Sequence, residues 1–135
     1  MNILLLGSGG REHTFAHFIH KSPLCNRLYI SPGNAGTASC GENVALDLSD
    51  FESVWSFCQE HEIRLLVPGN EDPLVAGITD FIESKASETG LDIVVAGPSK
   101  FASQLEGSKD FSKAFMIEAG IPTAAYQTFT VNNVH

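Results

Sequence analysis

Basic side chains are scarce in this sequence. Eight Lys and Arg stand against sixteen Asp and Glu, a formal net charge of -8 over 135 residues. That balance argues against a nucleic-acid or membrane surface as the main partner, because both attract basic patches. It leaves room for a small anion, which needs only a local group of N–H donors and one or two cations. Cysteine is sparse too. Cys25, Cys40 and Cys58 show no CxxC spacing and leave one thiol unpaired in any disulfide scheme, so they read as reduced packing residues of a cytosolic protein rather than metal ligands. No apolar run approaches the roughly 20 residues that a transmembrane helix needs. Met1 and Asn2 lead straight into a strand pattern without the basic segment of a signal peptide. With 43% apolar content, one domain with a real core is expected.

What is present is organised around Ile3-Leu4-Leu5-Leu6-Gly7-Ser8-Gly9-Gly10-Arg11-Glu12-His13. A short apolar run, three glycines in four positions and a helical pattern read as buried strand, tight turn and helix. Glycine allows close backbone approach, and the first N–H groups of a helix lack intrahelical partners, so such a turn suits an anion. A tight connection alone would explain the same glycines. A dinucleotide site is disfavoured: it would want a third glycine where Glu12 stands, and a carboxylate after the second strand, where Ser31 and Pro32 stand.

The first helix is expected from about Arg11 to His20, with Phe15, Phe18 and Ile19 on its apolar side. His13, His17 and His20 lack the HExxH order of a zinc helix, so solvated or half-buried imidazoles are expected there. A second strand, Arg27 to Ile30, ends in the small and polar turn Ser31 to Thr37. Asn34 and Thr37 offer side-chain donors there, at the strand end where parallel sheets bind ligands. A short strand at Val44 to Leu46 follows. Asp50 then caps a helix whose Phe51, Val54, Trp55 and Cys58 recur at core spacing.

Arg64 to Val67 reads as the next buried strand. Glu71 and Asp72 before Pro73 suit the first turn of a helix running through Val75, Ile78, Phe81 and Ile82 to Glu88-Thr89-Gly90. Glu71 has a second use, hydrogen bonding to sugar hydroxyls or a substrate amine. Leu91 to Ala96 is a further strand. Four alternations of strand and helix predict an α/β fold, an open parallel sheet with helices on both faces, whose three polar turns converge on one crevice. After a short helix at Ser99 to Gln104, Gly107 and Ser108 open another at Lys109 to Ala119, with Phe111, Ala114 and Phe115 on its apolar face. The strand-like Ala125 to Val131 has no partner after it, which suggests a sequence cut from something longer.

Four segments in register carry a family resemblance: Gly7 to His13, Pro32-Gly33-Asn34-Ala35-Gly36-Thr37, Gly69-Asn70-Glu71-Asp72-Pro73-Leu74, and Leu105-Glu106-Gly107-Ser108-Lys109 through Ile121-Pro122-Thr123-Ala124. In order and spacing they resemble the amino-terminal region of the phosphoribosylamine-glycine ligases, also called glycinamide ribonucleotide synthetases, over essentially the whole chain. One departure is visible. The family usually has Gly-Pro-Glu-Ala-Pro-Leu, so Asn70 and Asp72 depart from it while Glu71 is kept.

The resemblance implies a Rossmann-like pre-ATP-grasp domain over residues 1–104, with residues 105–135 forming a linker helix and first strand of an absent ATP-grasp domain. It implies a cytoplasmic, monomeric ligase of purine synthesis acting on 5-phosphoribosylamine, glycine and ATP. ATP would phosphorylate the glycine carboxylate, and the amine would attack the acyl phosphate. ATP and magnesium (or manganese) would be held mainly by residues beyond this chain, which alone would be inactive and carry no catalytic or metal-binding residue. Substrate contacts are implied for Gly9, Gly10, Arg11, Glu12, Asn34, Gly36, Thr37, Asn70 and Glu71, and a nucleotide contact for Lys109. Two other readings are another purine-pathway ATP-grasp enzyme, such as a carboxylase or formyl transferase, and a non-catalytic module for a sugar phosphate.

Overall fold

A computed structural model describes residues 1–129. The opening apolar run forms β1 (Asn2–Gly7), which is central because it is apolar at every buried position and so tolerates cover on both faces. It pairs in parallel with β2 (Arg27–Pro32) on one side and β4 (Ile63–Pro68) on the other. Two short parallel edge strands, β3 (Glu42–Asn43) and β5 (Val94–Val95), complete the order β3-β2-β1-β4-β5. The chain builds outward from β1 through β2 to β3, then crosses to β4. That reversal of direction lies between β1 and β4, where open parallel sheets form ligand crevices.

Alternation along β1 divides the core in two. Leu4 and Leu6 join Tyr29 on one face and meet Val54, Trp55 and Cys58 of α2 (Phe51–Glu60) together with Ile78 and Ile82 of α4 (Ile78–Thr89). Ile3 and Leu5 face the other way with Leu28 and Ile30, against Ala16 of α1 (Gly10–Ile19). The expected stripe of α2 is therefore core, and Asp50 caps that helix by accepting from the Ser53 N–H at 3.2 Å. Helices lie on both faces, as the α/β reading requires.

Several expectations are corrected. Phe15 and Phe18 do not form the inward side of α1: Phe18 is 67% exposed, and the buried residues are Glu12 and Ala16. The helix is rotated so that Glu12 enters the fold. The helix expected to run on from Glu71 is two helices, α3 (Glu71–Ala76) and α4, because Gly77 has φ of 106°, which caps one and starts the other. The third strand is Glu42–Asn43 rather than Val44 to Leu46. Val44 makes a last bond to the Ile30 carbonyl, and Val44 and Leu46 pack on the larger core cluster. The fifth pairs only over Val94–Val95, since Gly97 and Pro98 follow closely and Pro cannot extend a ladder.

The chain continues into α5 (Lys100–Gly107) and α6 (Lys109–Glu118), with Ser99 and Ser108 as side-chain caps. The division expected at residue 104 falls inside α5. The expected apolar face of α6 is only partly covered: Phe111 meets Phe101, but α6 has no buried residue. Residues 121–129 form no strand; the remainder of the strand expected from Ala125 to Val131 lies outside the described residues.

Candidate functional site

Three turns leave the carboxyl ends of adjacent strands, and backbone bonds tie them together. Gly33 N–H donates to the Gly7 carbonyl at 3.1 Å, and Gly69 N–H donates to the Leu6 carbonyl at 2.7 Å. The turn after β2 is further held by Asn34 Nδ2, which donates to the Ser8 carbonyl at 2.7 Å. Thus the segments holding Gly9 to Glu12, Asn34 to Thr37, and Asn70 and Glu71 meet at one place.

Glu12 is the side chain on which this convergence depends. Only 4% exposed, it sits at the third position of α1 and reaches back so that Oε2 accepts the Gly9 N–H at 2.7 Å. That is the carboxylate half of a capping box, favoured by the helix dipole. Oε1 accepts from Arg11 Nε at 3.0 Å. Two glycines make space for it. A Cβ on Gly7, whose φ is 129°, would lie 2.5 Å from Glu12 Cγ, and one on Gly69 would also collide with Glu12. The fingerprint position occupied by Glu12 is therefore filled from within by a carboxylate, and both strand ends are shaped around it.

Glu12 occupies the Gly9 N–H, so that amide is not free for an anion. The amides of Gly10 and Arg11 remain, having no intrahelical acceptor. Arg11 is half exposed. Its Nη2 lies 3.6 Å from Glu71 Oε2, so the guanidinium bridges the turn after β1 and the start of α3. The hydrogen bond to Glu12 raises its pKa first, and the charges of Glu12 and Glu71 add to this. Arg11 is a permanent cation where the turn after β1 meets the start of α3.

The turn after β2 uses its polar side chains internally. Asn34 Oδ1 accepts from the N–H groups of Gly36 at 2.8 Å and Thr37 at 3.0 Å. Thr37 is fully buried; its Oγ1 accepts from Asn34 N at 2.8 Å and donates to Asn43 Oδ1 at 2.7 Å. Asn43, which also donates to the Asn34 carbonyl at 2.8 Å, was missed in the sequence. It sits on a strand two residues long, with no local pattern to mark it. Gly36 is needed for a different reason: a Cβ there would fall 2.5 Å from the His13 ring. His13 is thus a packing partner of the turn. Among the described residues no group of three or more His, Cys, Asp or Glu is placed to hold a metal ion.

Asn70 stands at the N-cap position of α3 without a side-chain cap bond, and its Oδ1 is buried without a hydrogen-bond partner among the described residues. It borders a hollow of about 350 Å³ with Leu48, Ser49, Asp72 and Pro73. Lys109 is not brought to the crevice by any hydrogen bond or ion pair among the described residues; it lines a separate shallow groove with Leu105, Lys113 and Thr123. No described helix is long and apolar enough to cross a membrane.

The family described as phosphoribosylglycinamide synthetase, N domain, matches residues 1–106. The chain is 51% identical over 129 residues to the phosphoribosylamine-glycine ligase of Mesorhizobium japonicum, covering 96% of this chain and 29% of that protein. The crystal structure of the phosphoribosylamine-glycine ligase from Thermotoga maritima superposes with a TM-score of 0.63 at 28% identity, over 93% of this chain and 26% of that one. The N5-carboxyaminoimidazole ribonucleotide synthetase of Thermus thermophilus shares the fold, with a TM-score of 0.61 at 19% identity over 90% of this chain and 31% of that one. The chain spans less than a third of the length of each of these relatives.

Proposed function

Because this chain belongs to the phosphoribosylglycinamide synthetase N-domain family, we propose that it is the substrate-holding amino-terminal part of a phosphoribosylamine-glycine ligase. The whole enzyme would be an ATP-grasp ligase of purine biosynthesis, cytoplasmic and monomeric. It joins glycine to 5-phosphoribosylamine and yields glycinamide ribonucleotide, ADP and phosphate. A carboxylate is a poor electrophile, and its phosphorylation by ATP supplies the leaving group that the attacking amine displaces. In this reading the metal and most ATP contacts belong to chain outside this segment. In this reading residues 1–104 bind the sugar phosphate and 105–135 lead into the ATP-grasp part, where Lys109 approaches the nucleotide.

The observation that carries the reading is the convergence of three turns around a permanent cation. The amides of Gly10 and Arg11 and the Arg11 guanidinium present donors to the phosphate or ribose, while Gly9 and Gly36 make room for Glu12 and His13, which shape the turns. Glu71, across the mouth from Arg11, accepts from ribose hydroxyls or orients the amine. Asn70 Oδ1, an acceptor without a donor, suits the same hydroxyls or amine. Glu12, Asn34 and Thr37 act one step back, holding the turns in register from buried or internally bonded positions.

Isothermal titration of this chain with ribose 5-phosphate, a stable stand-in for the labile amine, tests the assignment. Heat that is lost in Arg11→Ala and weakened in Glu71→Ala supports it, with NAD giving none. Tight NAD binding overturns it. If the gene's reading frame stopped at His135, the alternative of a self-contained sugar-phosphate module would take its place.

A further inference from the structure

The second feature of the molecule lies away from the crevice, where α5 and α6 form an apolar groove of about 400 Å³ lined by Phe101, Ala102, Leu105, Phe111, Ala114 and Phe115. Phe101 is 70% exposed, Leu105 42% and Phe115 45%. Scattered exposed apolar residues are ordinary, but a contiguous aromatic face on two capped helices marks an interaction surface. The face is ordered: Phe101 and Phe111 meet edge to face at 5.7 Å, and Ser108 caps α6 through the Phe111 N–H at 3.2 Å.

We infer that this groove is an intramolecular docking site, occupied by apolar residues of the chain that follows this segment in the longer ligase. The inference rests on the preceding reading that such chain exists. Three observations select this occupant. The matched family is an N domain that ends at residue 106, so the groove is half α5 of that domain and half α6 beyond it. Most of the Mesorhizobium relative's length lies outside the match. Finally, the backbone after α6 turns back along it. Lys113 Nζ donates to Thr123 Oγ1 at 2.6 Å and to the Ala124 carbonyl at 3.1 Å, and by Thr128 the chain has returned to Asp110 in the first turn of α6. At residue 128 the described chain thus stands at the first turn of α6, the helix that supplies Phe111 and Phe115 to the groove. A second copy is the less suitable occupant, since each copy brings a net charge of -8 and like charge opposes association.

Hydrogen exchange on the 135-residue chain and on the longer protein tests this. Amides of residues 100–118 should exchange about a hundredfold more slowly in the longer protein, while those of β1 and β4 are protected in both. The Phe101→Ser and Phe115→Ser double variant should abolish the added protection and leave β1 and β4 unchanged, a check that the fold is intact. Equal exchange of 100–118 in the two proteins overturns the docking and leaves the ligase reading standing. Concentration-dependent dimers of the short chain that the double variant dissolves also overturn it, in favour of a second copy. A reading frame ending at His135 overturns both.

Discussion

The two faces of the sheet are built by different means. On one, Leu4, Leu6 and Tyr29 meet the apolar stripes of α2 and α4 in a large cluster containing Trp55. On the other, a smaller cluster of Ile3, Leu5, Leu28 and Ile30 meets Ala16 and Ile19 of α1, and α1 is anchored at its start by a buried carboxylate. The larger face is held by buried apolar area, which is non-directional. The α1 face is held largely by geometry, with Glu12 enclosed by Gly7 and Gly69. The difference suits the division of labour. The face that only supports the sheet is thick, whereas the helix whose amino terminus opens the crevice is positioned by directional bonds.

Substitutions sharpen this contrast. Trp55→Ala should cost the most, about 3–5 kcal/mol, because it empties a large volume in the larger cluster. Denaturant unfolding monitored by circular dichroism measures it, and a loss below about 1 kcal/mol would show that this face is not the main source of stability.

Glu12→Gln should cost about 1–3 kcal/mol, since the amide cannot accept from both Gly9 and Arg11 and leaves a donor facing a donor. Unlike Trp55→Ala it should also weaken ribose 5-phosphate binding at temperatures where the variant is fully folded. Unchanged affinity would mean that Glu12 positions nothing of consequence to the ligand. Gly36→Ala should cost about 1–3 kcal/mol by overpacking against the His13 ring, and His13→Ala in the same chain should recover most of it. Non-rescue in a double-mutant cycle would remove His13 as the partner of that turn.

Burial pushes the Cys58 thiol on the larger face from 9.0 up to about 12. The folded thiol therefore stays neutral while an unfolded one ionises, so its contribution to stability is fully present below about pH 9 and is lost as pH rises towards 12. Unfolding followed across that window should show the decline, and Cys58→Ala should flatten it. In native protein at pH 8 a thiol reagent should find Cys25 and Cys40, with Cys58 reacting only on unfolding. The smallest effect is expected for Phe18→Ser, within about 0.5 kcal/mol, because that side chain already faces solvent. A large loss would mean that α1 buries the face its sequence advertises.

That last case shows where the sequence misleads. Phe15, Phe18 and Ile19 look like the inward side of a helix by composition, yet only Ile19 of the three packs on the core, and Glu12 and Ala16 are the residues buried. An apolar pattern reports hydrophobicity and spacing, whereas the rotation of α1 is decided by the Gly9 cap and the two glycines that enclose Glu12, contacts spread from residue 7 to residue 69. On α2, by contrast, Val54, Trp55 and Cys58 were legible, because there the packing follows apolar spacing alone. The convergence of the turns was legible from three polar turns after three adjacent strands. The internal engagement of Asn34 and Thr37 was not, because their partner Asn43 lies across a two-residue edge strand. A single Gly77 in a left-handed conformation likewise divides what periodicity joins.

From sequence alone come the parallel α/β order, the glycine turn after the first strand, the Asp50 cap, the α2 core stripe and the family, since these rest on local propensity, period and motif spacing. Tertiary structure alone decides which polar groups are spent bracing the turns, that Arg11 spans Glu12 and Glu71, and that the aromatic pattern of α5 and α6 stands uncovered. The physical reason is the range of the interactions. Periodicity and capping act within a few residues, whereas burial and hydrogen-bond satisfaction are settled among segments that the chain keeps far apart and the fold brings together.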